Sequence, residues 1–160
     1  GFELESQIFL TDNLVFLGHL GHANGNYSSV LFDLNDDGVV NELDRQLQIP
    51  RLAPWSYGVG FIHNLDLGAN NGLTTRFSYN HRDANAYTDN NLGLLKEADL
   101  IDASIALNLG GSATLSLYGK NLLNDATHGN ETQLPATLGG GTFAPLNKGR
   151  VIGLELQLNL

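Results

Sequence analysis

Cysteine and methionine are both absent from the 160 residues. Without cysteine there is no disulfide framework, no thiolate zinc site and no thiol nucleophile. Without methionine there is no initiator residue, and no basic-then-apolar leader opens the chain, so it is expected to be a segment of a longer precursor. Positive charge is scarce: 8 Lys and Arg stand against 17 Asp and Glu, a formal net charge of -9. That balance argues against a phosphate-reading surface, and nucleic acid is not an expected partner. Long apolar runs are missing as well. The richest window, from Ile8 to Leu20, is interrupted by Thr11, Asp12, Asn13 and His19, so nothing approaches the roughly 20 apolar residues of a spanning helix. Low-complexity tracts and domain linkers are also lacking. The 42% of hydrophobic residues is nonetheless too high for a disordered chain, and the length suits one domain.

What is present is a period of two. In the last run Ile152, Leu154, Leu156, Leu158 and Leu160 fall on one face, and Gly153, Glu155, Gln157 and Asn159 on the other. Leu115 and Leu117 oppose Thr114, Ser116, Tyr118 and Lys120. Ile101, Ala103, Ile105, Leu107 and Leu109 oppose Asp102, Ser104 and Asn108. Leu73, Thr75, Phe77 and Tyr79 oppose Thr74, Arg76, Ser78, Asn80 and Arg82. Trp55, Tyr57, Val59 and Phe61 oppose Ser56, Gly58 and Gly60, and Phe2, Leu4, Ile8 and Leu10 oppose Glu3, Glu5, Gln7 and Thr11. A more mixed run, from Leu14 to about Tyr27, contains His19 and His22.

These runs predict about seven strands whose connections alternate in length. Residues 11–13, 68–72 and 110–112 are tight turns rich in Gly, Asn and Asp, whereas residues 24–54, 83–99 and 122–149 are long polar connections. Short turns at one end and long loops at the other are the rhythm of an outer-membrane barrel. A soluble β-sandwich shares the alternation but not the rhythm, and long structureless loops count against it. The expected fold is therefore all-β, a transmembrane antiparallel β-barrel segment. Phe2, Tyr27, Trp55, Tyr57, Phe77 and Tyr79 are expected near strand ends, where amphipathic rings meet the membrane interface.

Three stretches are similar to one family. Ile49-Pro50-Arg51-Leu52-Ala53-Pro54 before Trp55 resembles the Pro- and Ala-containing approach to a late strand of TonB-dependent outer-membrane receptors. Tyr118-Gly119-Lys120-Asn121-Leu122-Leu123-Asn124-Asp125 resembles their strand followed by Asn-Leu and Asp, and Arg150-Val151-Ile152-Gly153-Leu154-Glu155-Leu156 resembles their last strand. The resemblance covers residues 1–160 as the C-terminal part of such a barrel. It implies a Gram-negative outer-membrane location, surrounding lipid, an N-terminal plug domain and TonB as partners, and energised uptake of a large scarce nutrient such as a siderophore, cobalamin or a glycan. It implies no enzymatic activity. Two departures stand out. The family usually ends in an aromatic residue and this chain in Leu160, and about seven strands cannot close a barrel of about 22. The rival expectations are a passive porin-like barrel and a soluble, calcium-stabilised β domain of a secreted binding protein.

One motif carries chemistry. Asp33-Leu34-Asn35-Asp36-Asp37-Gly38-Val39-Val40-Asn41-Glu42-Leu43-Asp44 has the spacing of a calcium loop. Asp33, Asn35 and Asp37 stand at the first three ligand positions, and Gly38 at the sharp turn. Val39 would offer its carbonyl, Asn41 follows, and Asp44 closes the loop. A hard cation needs six to eight oxygens, and this spacing wraps the chain around one. The pattern resembles a dockerin-type or EF-hand-like loop with Asp for the usual Glu at its end, and implies structural Ca²⁺ that stiffens a long loop. A short helix is expected over residues 42–48. His19 and His22 would point to opposite faces of a strand, which argues against a shared metal. Asp102 and Ser104 lack a histidine to complete a triad. Glu3, Glu5 and Glu155 are expected to be lumen-facing, Arg76 and Arg82 structurally paired, and the glycines at 139–141 no phosphate cradle.

Overall fold

The computed structural model of the protein describes residues 1–126, 132–134 and 141–159. Seven strands run in chain order: β1 Phe2–Thr11, β2 Leu14–His22, β3 Trp55–Gly68, β4 Asn71–Arg82, β5 Ala98–Leu109, β6 Ala113–Lys120 and β7 Val151–Leu158. They form one sheet in which each strand pairs antiparallel with the next, so β1 and β7 are its edges. The mixed run ends as a strand at His22, which leaves Tyr27 in the following loop. The last strand stops at Leu158, and Leu160 lies outside the described residues.

Short connections form where the backbone can turn left-handed. Ala69 and Asn70 take φ of 52° and 60°, and Gly110 and Gly111 take 59° and 76°. Two consecutive positive φ values are what a two-residue hairpin of matching twist requires. Asp12-Asn13 joins β1 to β2 at the same end of the sheet. The opposite end carries the three long loops. The first contains one helix, α1 Glu42–Arg45, shorter than the stretch to residue 48 that the sequence suggests. A two-residue ladder pairs Asn85 with Leu95 and Ala86 with Leu94 in the second, and another pairs residues 132–133 with 142–143 in the third.

Register sorts every strand into the same two faces. On one, Ile8, Phe16, Phe61, Phe77, Ala103, Gly119 and Ile152 align across all seven strands, as do Leu65, Leu73, Leu107, Leu115 and Leu156 across five. On the other, Glu5, His19, Gly58 and Asn80 align, and beside them Arg76, Ser104, Tyr118 and Gly153. Nothing covers the apolar face. Leu154 is 71% exposed, Ile152 66%, and Leu4 and Leu156 61% each, while the only buried apolar residues among those described are Ala86, Leu95 and Ala98. A water-soluble domain folds around a covered core and rarely shows an apolar patch beyond a few hundred Å². This sheet has its apolar residues outside and no core beneath them.

Aromatic rings gather on the apolar face toward the long-loop end. Phe2, His22 and Trp55 pack with centroids 4.2–5.9 Å apart, and Tyr57 lies 6.2 Å from Tyr79. Phe77 departs from the expected girdle, because it stacks on Phe61 at 5.7 Å in mid-strand. No described helix is long and apolar enough to cross a membrane, which says nothing of strands.

Candidate functional site

The polar face is a trough of about 860 Å³ with walls from β1 to β6. One groove lined by Glu5 of β1 and by Tyr118 and Lys120 of β6 requires the sheet to curl toward its polar side. Glycine makes room in it. A Cβ at Gly58 would lie 2.6 Å from Asn80 Oδ1 and 2.8 Å from the Tyr79 carbonyl, and one at Gly153 would strike the Tyr118 ring. Alternate glycines on β3 thus let the side chains of β2 and β4 lie across its backbone.

Glu3, Glu5 and Glu155 share this face with Gln7, Arg76, Asp102 and Lys120, as the alternation implies. Ion pairs among the described residues involve only Arg45 with Glu42, and His81 with Asp83 and Asp99. Among the described residues the trough's acids and bases thus form no ion pair with one another. Arg82 is held by Asn85 and by the Lys96 carbonyl, whereas Arg76 makes no ion pair with a described residue. His19 and His22 fall on opposite faces. Asp102 accepts the Asn121 N–H at 2.8 Å, and no histidine joins it and Ser104. Of the glycines at 139–141, only Gly141 lies within the described residues.

The loop from Asp33 to Asp44 is shaped by its own acids and amides. The carboxylate of Asp33 accepts the N–H groups of Asp37 and Gly38, at 3.2 and 2.6 Å. Asn35 Oδ1 accepts the Asp37 N–H at 2.9 Å, and Asp37 Oδ1 the Val39 N–H at 2.8 Å. The amide of Asn41 donates to Asp37 Oδ2 and to the Val39 carbonyl, at 3.3 and 3.2 Å. Asp36 and Gly38 adopt φ of 62° and 89°, which reverses the chain between the acids. Asn41 then caps α1 through Leu43 N–H, and Asp44 completes the capping box through Asn41 N–H at 2.7 Å.

Asp44 is fully buried and binds both ends of the loop, since its Oδ1 also accepts Leu34 and Asn35 N–H at 2.7 and 3.2 Å. The Asn41 N–H does most to hold its carboxyl below the ordinary carboxylate range, helped by Leu34 and Asn35 and opposed by burial. Among the described residues no three His, Asp or Glu side chains converge as a metal cluster. Asp33, Asn35, Asp37, Asn41 and the Val39 carbonyl instead bind the loop's own donors, and Asp37 Oδ2 accepts from both Asn35 and Asn41 side-chain amides.

The first long loop is fastened to the second. Gln48 N–H donates to Asn91 Oδ1 at 2.6 Å, Asn91 Nδ2 returns to the Gln48 carbonyl at 2.9 Å, and Arg51 N–H reaches the Ala86 carbonyl at 2.7 Å. The Arg51 guanidinium also lies 4.7 Å above the Tyr87 ring. Sequence reasoning missed this clasp, whose partners lie about forty positions apart with no periodic signal to link them.

No protein-family model matches the chain, and no curated protein matches it. Its fold does match solved structures. The ferric yersiniabactin uptake receptor FyuA from Yersinia pestis aligns with a TM-score of 0.77 at 16% identity, over 98% of this chain and 22% of that one. The siderophore receptor PiuA from Acinetobacter baumannii aligns with a TM-score of 0.69 at 15% identity, over 96% of this chain and 20% of that one. The chain thus spans about a fifth of the length of these receptors, and at such identity the likeness is one of fold. The sheet has the fold of a segment of an antiparallel β-barrel wall.

Proposed function

We propose that the chain is the C-terminal barrel segment of a TonB-dependent outer-membrane receptor of a Gram-negative bacterium, which takes up a large scarce nutrient. A ferric siderophore is the nutrient class that the structural likenesses favour. One observation carries the reading: a seven-stranded meander with an uncovered apolar convex face, a polar trough within, and long loops at one end only. Lipid is the solvent in which that arrangement is stable. The unpaired charges of the trough would then meet an N-terminal plug, and the clasped loops would receive ligand. The work is binding and transport, with no bond made or broken.

Uptake of iron-55 complexed by a panel of siderophores, in cells with and without the full-length gene and with and without TonB, tests this directly. The expected result is saturable uptake lost on removing either one. Uptake that survives loss of TonB would overturn energised transport in favour of a passive barrel.

We further propose that residues 33–44 hold one structural Ca²⁺, through Asp33, Asn35, Asp37, the Val39 carbonyl, Asn41 and Asp44. The ligand spacing supports it, and so does a backbone already wound around those oxygens. Binding on the order of 10⁻⁴ M is expected of a single extracellular-type loop. Calorimetry on the full-length protein should show it abolished in Asp33→Ala and Asp37→Ala. Asp36→Asn, which tolerates the left-handed backbone at a non-ligand position, should retain it. No heat at millimolar calcium, or equal damage from Asp36→Asn, would leave the loop a purely hydrogen-bonded turn.

A further inference from the structure

Three long loops leave the sheet at one end, and His81 stands near the roots of the first two. His81, next to last in β4, lies across from Tyr57 of β3 and Asp99 of β5 on the convex face. Its Nδ1 is 2.8 Å from Asp99 Oδ1, and its Nε2 is 3.0 Å from Asp83 Oδ1. The ring stacks on Tyr57 at 4.6 Å, and Tyr79 Oη donates to the same Asp99 oxygen at 2.7 Å. Tyr57, Tyr79, Asp83 and Asp99 are the titratable groups that face it, with Asp125 behind Asp99.

Ionised carboxylates only accept hydrogen bonds, and a neutral imidazole has one N–H and one lone pair. A neutral ring here would set its lone pair against a carboxylate oxygen. Only the imidazolium satisfies both contacts at once. The Asp83 carboxylate in turn reaches the first loop, while Asp99 meets the third only through its backbone N–H. Asp83 opens the second loop, and its Oδ2 accepts the Trp55 N–H at 3.1 Å, where the first loop enters β3. Asp99 stands where the second loop enters β5, and its N–H donates to Asp125 Oδ2 of the third loop at 2.8 Å.

We propose that His81 is a protonation-dependent clip that ties the roots of the first and second long loops to the sheet. The clip is closed while the ring carries both protons, and opens as pH rises through its titration. Loss of one proton sets a lone pair against a carboxylate, and since Tyr79 Oη still holds Asp99, it is Asp83 that swings away with the loop it anchors. Loop order thus depends on the acidity outside the cell, whatever ligand the loops receive.

The test uses the full-length protein in detergent micelles with ¹⁵N-labelled histidine, the His81 signals being those that vanish in His81→Gln. Both ring nitrogens should be protonated at about pH 7. Proteolysis within residues 83–97 should quicken roughly tenfold as the ring deprotonates, the effect of losing one charge-assisted hydrogen bond. In Asp83→Asn, where the new amide N–H can donate to the Nε2 lone pair while Nδ1–H stays on Asp99, that pH dependence should be lost while the loops stay protected. Finding one ring nitrogen unprotonated at about pH 7 would overturn the proposal, as would the same pH dependence of cleavage in the parent, in His81→Gln and in Asp83→Asn.

Discussion

Asp44 shows how one side chain decides the shape of a loop. Its two oxygens serve N–H groups from residues 34, 35 and 41, so a segment of twelve residues is closed by one carboxylate. Those bonds favour the ionised form, and so the folded carboxyl sits below its ordinary 3.8. The sign follows: the contribution is complete above that value and is lost as pH falls through the folded one. Amide protection of Leu34, Asn35 and Asn41, followed by hydrogen exchange, should stay level from neutral pH to about 5 and collapse only in stronger acid. Protection that already fades near pH 6 would show that the carboxylate is not what holds them. The spacing from Asp33 to Asp44 was legible as a wound loop, because each acid or amide follows at a fixed interval. That Asp44 also accepts the N–H groups of residues 34, 35 and 41 was not, since the motif marks its terminal acid only as a ligand. His81 was invisible for another reason. Its partners depend on cross-strand register over the second long loop, and loop length alone does not set register.

The strands were legible where each face has one chemical character. β7 reads cleanly because leucine and isoleucine alternate with Gly153, Glu155 and Gln157. β2 does not, since Leu17 and His19 share the polar face while Gly18 and His22 share the apolar one. Its end is set by pairing with β3, where His22 meets Trp55. β3 runs on past Phe61 to Gly68, since His63 on the apolar face blurs a pattern that Leu65 resumes. The face assignment of β7 has an energetic consequence. Leu156→Arg should cost about 2–4 kcal/mol near the bilayer midplane, and Gln157→Arg close to nothing. Urea unfolding of the refolded full-length barrel in lipid vesicles measures both. An equal or larger cost at Gln157 would mean that the two faces are reversed.

For the whole molecule, alternation and loop rhythm sufficed to separate a barrel wall from a sandwich, because each end of the sheet has its own kind of connection. The clasp between loops and the curl that makes the trough concave come from tertiary contacts and do not show in any one segment. Everything rests on the convex face meeting lipid while the trough meets water. With no native cysteine in this stretch, single cysteines at Ile152, Leu154, Glu155, Leu156 and Gln157 can each carry a spin label in the full-length protein in bilayers. The decisive measurement is their relaxation by oxygen, which concentrates in lipid, against a water-soluble nickel chelate. Labels at 152, 154 and 156 should favour oxygen and those at 155 and 157 the chelate, alternating along the strand. Equal access of the chelate to both sets, or the inverse alternation, would contradict a lipid-facing wall.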